Sequence, residues 1–99
     1  MLPNFSDELT TLLTAAGEQV LAAQVSGLSI VDRCRCGDDF CGTFYTELKP
    51  QGSYGAGHKN LVLEPVRGDV ILDVVNGTIV CVEVLYRDEI RNALIDHMP

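Results

Sequence analysis

Leu61-Val62-Leu63-Glu64-Pro65-Val66-Arg67-Gly68-Asp69-Val70-Ile71-Leu72-Asp73-Val74-Val75-Asn76-Gly77-Thr78-Ile79-Val80-Cys81-Val82-Glu83-Val84-Leu85-Tyr86 decides the fold. Three apolar runs, 61–66, 69–75 and 78–86, are separated by Arg67-Gly68 and Asn76-Gly77. β-branched residues dominate them, and Asn-Gly between such runs is the strongest short hairpin signal. A two-residue turn places Val74 opposite Ile79 and Leu72 opposite Cys81. The same closure at Arg67-Gly68 places Leu63 opposite Leu72 and Leu61 opposite Val74.

With this register one sheet face carries Leu61, Leu63, Pro65, Val70, Leu72, Val74, Ile79, Cys81 and Leu85, with Glu83 its only charge. That is a core face. The opposite face mixes Val62, Ile71, Val75, Val80, Val82 and Val84 with Glu64, Asp69 and Asp73, as a partly covered face or a contact surface would.

Upstream, Leu9, Leu12, Leu13, Ala16 and Val20 recur at helical spacing behind Ser6, an N-cap residue followed by the acids Asp7 and Glu8. The pattern predicts a helix over 6–25, with Gly17 as the point where it can kink or divide. Two shorter strands follow, over 28–35 and 41–48, joined by the turn residues Gly37-Asp38-Asp39. Residues 49–60 read as a loop, because Pro50, Gly52, Gly55 and Gly57 prevent regular structure. Asp88 can cap a last helix over 89–96, with Ile90 and Leu94 on one side. The expected fold is α+β: one domain over 1–99, an antiparallel meander of about five strands, an N-terminal helix on its apolar face and a short C-terminal helix.

Composition narrows the function. The 99 residues, 46% hydrophobic, suit one compact domain. A net charge of −7, with 7 basic residues scattered among 14 acidic ones, argues against nucleic acid or anionic lipid as partner. No apolar run approaches the roughly 20 residues of a membrane span, and Met1-Leu2-Pro3-Asn4-Phe5 lacks the features of a signal peptide. The expected compartment is the cytoplasm, where thiols stay reduced.

That expectation bears on Cys34-Arg35-Cys36-Gly37-Asp38-Asp39-Phe40-Cys41, which gathers three of the 4 cysteines. On a strand Cys34 and Cys36 share a face about 6.7 Å apart. Two thiolates on one tetrahedral zinc lie nearer to 3.8 Å, so the backbone must bend. A four-residue turn, Gly37 to Phe40, brings Cys41 opposite Cys36 and lets three sulfurs converge. If Phe40 pairs with Cys36 instead, Cys41 turns away. His58 is the candidate fourth ligand. Cys81 is the other, although its place opposite Leu72 reads as a core thiol.

The cysteines could also act as redox or nucleophilic thiols. Arg33 and Arg35 flank them and would lower a thiol pKa, while Asp38 and Asp39 oppose that effect and favour a bound cation. The loop Gly52-Ser53-Tyr54-Gly55-Ala56-Gly57-His58-Lys59 fails the phosphate-loop pattern, since lysine does not follow Gly57 and a strand comes next. His97 reads as a helix-end partner. No hydrolase signature occurs.

The element Arg33-Cys34-x-Cys36-Gly37-Asp38-Asp39-x-Cys41, followed by Phe44-Tyr45 and the glycine-rich loop, resembles small uncharacterised bacterial domains built around Cys-x-Cys-Gly. The resemblance covers about 28–87 and implies a bacterial source and an unknown function, with no established activity to carry over. The expected function is a small non-enzymatic interaction or regulatory module with a zinc site formed by Cys34, Cys36, Cys41 and His58. The alternative is a thiol-based redox protein or sensor using Cys34, Cys36 or Cys41. The expected partner is another protein or a second copy of the chain through the mixed sheet face.

Overall fold

The computed structural model describes residues 2–99. Pro3 opens helix α1 (Pro3–Ala15), its fixed φ suiting a first turn in which its missing N–H costs nothing. The helix therefore starts ahead of the predicted Ser6 cap, and the Ser6 N–H bonds the Leu2 carbonyl at 2.8 Å. It ends at Gly17, whose φ is +77°. There the Glu18 N–H reaches back to the Leu13 carbonyl at 2.9 Å and the Gly17 N–H to that of Thr14 at 3.1 Å, a Schellman closure. The single helix predicted over 6–25 is thus divided at Gly17 into α1 and α2 (Gln19–Gln24), which runs into a turn of 3-10 helix, Val25–Gly27.

The strands are β1 (Asp32–Arg33), β2 (Phe44–Tyr45), β3 (His58–Leu63), β4 (Asp69–Val75) and β5 (Thr78–Leu85), and helix α3 spans Asp88–His97. They form one antiparallel sheet in the order β1-β2-β5-β4-β3, so the fold is α+β as expected. The predicted strands over 28–35 and 41–48 shrink to two residues each, because only Asp32 with Tyr45 and Arg33 with Phe44 meet in register. β3 begins at His58, earlier than predicted, which moves this histidine from a loop onto an edge strand. Arg67-Gly68 does not close a two-residue turn. Leu63 faces Val70 and Leu61 faces Leu72, with 64–68 as the connection. The shift is an even number of residues, so every side chain keeps its face.

The β4–β5 hairpin changes more. Val74 faces Ile79 as predicted, but Asp73 then faces Cys81, which leaves Val80 as one extra residue in β5. A one-residue bulge turns every later side chain to the other face. Val82 and Val84 therefore enter the core at 0% exposure, and Cys81, Glu83 and Leu85 leave it. The predicted pairing of Cys81 with Leu72 is corrected accordingly: Cys81 is buried, but beneath the opposite face. The bulge resolves the one conflict in the alternation, since Glu83 no longer points into aliphatic side chains.

Helices cover one face of the sheet. Phe5, Leu9 and Leu13 of α1, Leu21 and Val25 beyond it, and Ile90 and Leu94 of α3 pack on Phe44, Val70, Leu72, Val74, Ile79, Val82 and Val84. The rings of Phe5 and Phe44 meet edge to face, 6.1 Å between centroids. Two polar ties hold these layers. Gln24 spans the β4–β5 turn, donating to the Gly77 carbonyl at 2.6 Å and accepting from the Ile79 N–H at 3.1 Å. Arg87, 7% exposed, forks onto both carboxylate oxygens of Glu8 at 2.7 and 2.8 Å and onto Glu89 at 2.9 Å.

The other face is crossed by the chain itself. β2 lies beside β5 while β3 lies at the far edge of the sheet, so the connection 46–57 must span about three strand spacings, roughly 14 Å. This is the physical reason for the long glycine-rich loop. No helix among the described residues is long and apolar enough to cross a membrane.

Candidate metal centre

The β1–β2 ladder ends at Arg33 and Phe44. Beyond it the Cys34 N–H bonds the Thr43 carbonyl at 2.9 Å, and the Cys41 N–H bonds the Asp38 carbonyl at 3.3 Å, a turn that brings Cys41 back toward Cys34 and Cys36. Cys41 in turn bridges Leu85 at the end of β5. The result is a group of three sulfurs, Cys34, Cys36 and Cys41, all within 4.8 Å of one another. These are close enough to bind a metal ion. Tetrahedral zinc with bonds of about 2.3 Å places its sulfurs about 3.8 Å apart, a contraction of at most about 1 Å.

The tip is fixed from β5. Tyr86 adopts a left-handed conformation, φ 61°, which costs a non-glycine residue about 1 to 3 kcal/mol. In that conformation its N–H donates to the Phe40 carbonyl at 2.8 Å and its ring stacks on Phe40 with centroids 5.3 Å apart. Gly42 allows α3 to approach from the other side, because a Cβ there would lie 3.2 Å from the Arg91 nitrogen.

The three thiols differ in environment. Burial raises Cys34 to about 11, helped by the neighbouring Cys36 and Cys41 thiols. Burial also acts on Cys41, but hydrogen bonding to Thr43, with smaller contributions from Cys36 and Cys34, outweighs it and lowers this thiol. Cys36 is exposed. The flanking arginines are directed elsewhere: Arg33 Nε donates to the Met98 carbonyl at 2.6 Å, and Arg35 bonds a Pro99 oxygen at 2.7 Å and Asp32 at 3.2 Å.

His58 does not belong to the sulfur group. Its Nε2 lies 2.7 Å from Asp73 Oδ1, which also accepts from Asn60 Nδ2 at 2.7 Å. The Tyr54 ring leans on the imidazole with centroids 4.8 Å apart. Cys81 stands opposite Asp73, and its thiol is pushed up by burial first and by Asp73 and Glu83 second.

Asp73 and Glu83 went unread as site residues in the sequence. Burial raises Glu83 to about 7, with hydrogen bonding to Asp73 adding to the effect. Burial opposes ionisation of Asp73 as well, but its bonds with Glu83, His58 and Asn60 prevail and lower it. Two carboxyls in contact divide one proton unequally. The signal available beforehand was Glu83 itself, the one charge on an otherwise aliphatic face.

Both clusters open on one cleft. It has a volume of about 390 Å³, with Cys34 and Cys41 at one end, Asp73, Cys81 and Glu83 at the other, and Tyr45 and Tyr54 in its walls. The crossing loop supplies its rim through Lys49, Pro50 and Gly52. No family model matches the chain, and neither a curated protein nor a solved structure matches it.

Proposed function

We propose that the protein is a small non-enzymatic metal-binding module, of an interaction or regulatory kind, whose β1–β2 tip holds one zinc ion through Cys34, Cys36 and Cys41. The observation that carries this reading is the convergence of three sulfurs within 4.8 Å. Thiolates are soft ligands, and a compact set of them selects zinc or a similarly thiophilic ion over magnesium or calcium. Asp38, which lines the same cleft, adds negative charge that favours a cation.

Elemental analysis of protein purified without a chelating tag tests the reading. One zinc per chain, lost in Cys36→Ser with the fold retained by circular dichroism, is the expected result. A wild-type protein that neither contains nor takes up zinc at micromolar concentration would overturn it.

The exposure of Cys36 favours a second reading, a thiol sensor. Hydrogen peroxide would convert Cys36 to a sulfenic acid with loss of water, and attack by the Cys41 or Cys34 thiol would expel a second water and leave a disulfide. Alkylation separates the readings. Protection of all three cysteines that a chelator relieves identifies metal, and one fast-reacting cysteine without metal identifies the sensor.

A further inference from the structure

The cysteine group contributes three ligands, and zinc in such sites takes four. A set of three protein ligands is the arrangement that leaves one coordination position to water or to a ligand from outside. Cys34 and Cys41 both line the cleft, so the metal borders it.

The opposite end of the cleft is fixed by the sheet. Cys41 stands across from Leu85, and Glu83 is the next residue of β5 on that face, about 6.7 Å further along. Cys81 follows, with Asp73 across from it on β4. Among the described residues that line the cleft, Lys49 is the only base, against Asp38, Asp73 and Glu83. Its ammonium lies 5.6 Å from the centroid of the Tyr45 ring, so the chain's own cation already rests on one wall. Soft coordination at one end and negative charge with aromatic walls at the other define a ligand class.

We propose that the cleft binds a small cationic thiol. The ligand's sulfur, having lost its proton to solvent, displaces the metal-bound water and completes the tetrahedron beside Cys34 and Cys41. Its ammonium group, on a short aliphatic spacer, lies against Asp73 and Glu83. The inference rests on the metal reading and adds to it an exchangeable fourth position and a charge preference. A module that takes such a ligand is a receptor for low-molecular-weight aminothiols.

Cobalt in place of zinc makes both parts visible, because the intensity of its visible and sulfur charge-transfer bands reports coordination number and thiolate count. The cobalt protein would be titrated with cysteamine, mercaptoethanol and mercaptopropionate, which offer the same donor with positive, neutral and negative tails. The expected result is a stronger sulfur charge-transfer band on thiol addition, with cysteamine binding at least about tenfold more tightly than mercaptopropionate, the effect of one charged hydrogen bond. Glu83→Gln should weaken that preference, Asp73 keeping its part of the negative charge.

A cobalt spectrum that no thiol alters would show a closed four-ligand site and overturn the inference while the metal reading stands. Thiols that bind without regard to charge would overturn it too, since the acidic end would then play no part. A folded protein that takes up no cobalt removes the metal reading itself. If Glu83→Gln does not fold, the charge series on the wild-type protein decides alone.

Discussion

The two faces of the sheet are built on opposite terms. On the helix-covered face Phe44, Val70, Leu72, Val74, Ile79, Val82 and Val84 are all 0% exposed and carry no polar side-chain atom. On the loop-crossed face Asp73 and Cys81 are buried nearly as well, at 7% and 3%, but among tyrosine, histidine, asparagine and glutamate. The first face gains from removing carbon from water, and its residues are interchangeable in kind if not in shape. The second gains only if each polar atom keeps its partner, and no buried side-chain nitrogen or oxygen among the described residues lacks one. One bulged residue, Val80, separates the two sets.

The contrast makes its largest prediction on the covered face. Phe44→Ala leaves a hole against Phe5 and should cost about 3 to 5 kcal/mol, much of the stability of a domain this size, as read by urea denaturation. An effect under about 1 kcal/mol would mean that the helices do not depend on this face. Zinc removal comes next. Under the proposed function, zinc at a thousandfold excess over its dissociation constant stabilises by about 4 kcal/mol. Chelation should therefore lower the melting temperature, and amide exchange should accelerate at Cys34 and Gly42 before it does at Leu72.

The smaller effects belong to the carboxyl pair, in the metal-free protein. Glu83 has a folded-state value of about 7 against an ordinary 4.5. Its contribution to stability is fully present below the lower value and is lost as pH rises through the upper one. Glu83→Gln cannot ionise, so it should match the wild type near pH 4 and exceed it by about 1 kcal/mol at pH 8, a magnitude reduced for the partial exposure of the carboxyl. Removing the negative neighbour should move the same titration: in Asp73→Asn the Glu83 midpoint, followed by carboxyl carbon NMR, falls from about 7 toward 4.5. If both variants titrate like the wild type, the two acids do not share a proton.

The same contrast explains how much was legible in the sequence. On β3 and β4 the covered face was readable because burial of aliphatic side chains leaves a periodic pattern, and Asn76-Gly77 set the pairing of Val74 with Ile79, whereas on β5 Val82 and Val84 had been assigned to the opposite face. The closeness of Cys34, Cys36 and Cys41 was within reach because the three lie within one short stretch around a turn, a local matter. The break in the first helix was marked by Gly17. What could not be read was the bulge at Val80, since two registers differ there by one residue and only the packed sheet selects between them. With the bulge unread, Glu83 and Asp73 fell on different faces and their contact was invisible. His58 was misplaced for a similar reason, because glycines before it marked a loop while the pairing of Lys59 with Val74 carries the strand further.

The connectivity also orders events in time. The three cysteines lie within a stretch that a single turn can close, whereas the cleft's acidic end comes from β4 and β5, some 30 to 50 residues later. A chain leaving the ribosome presents its sulfur ligands well before the strand that will anchor them exists. Under the proposed function, capture of a zinc ion by the bare turn can precede the sheet, and the ion would then act as a staple that spares β5 the search for a disordered hairpin. Under that function the order of synthesis favours metal first and cleft second, with Tyr86, just past the end of β5 and bonded to Phe40, as the latch.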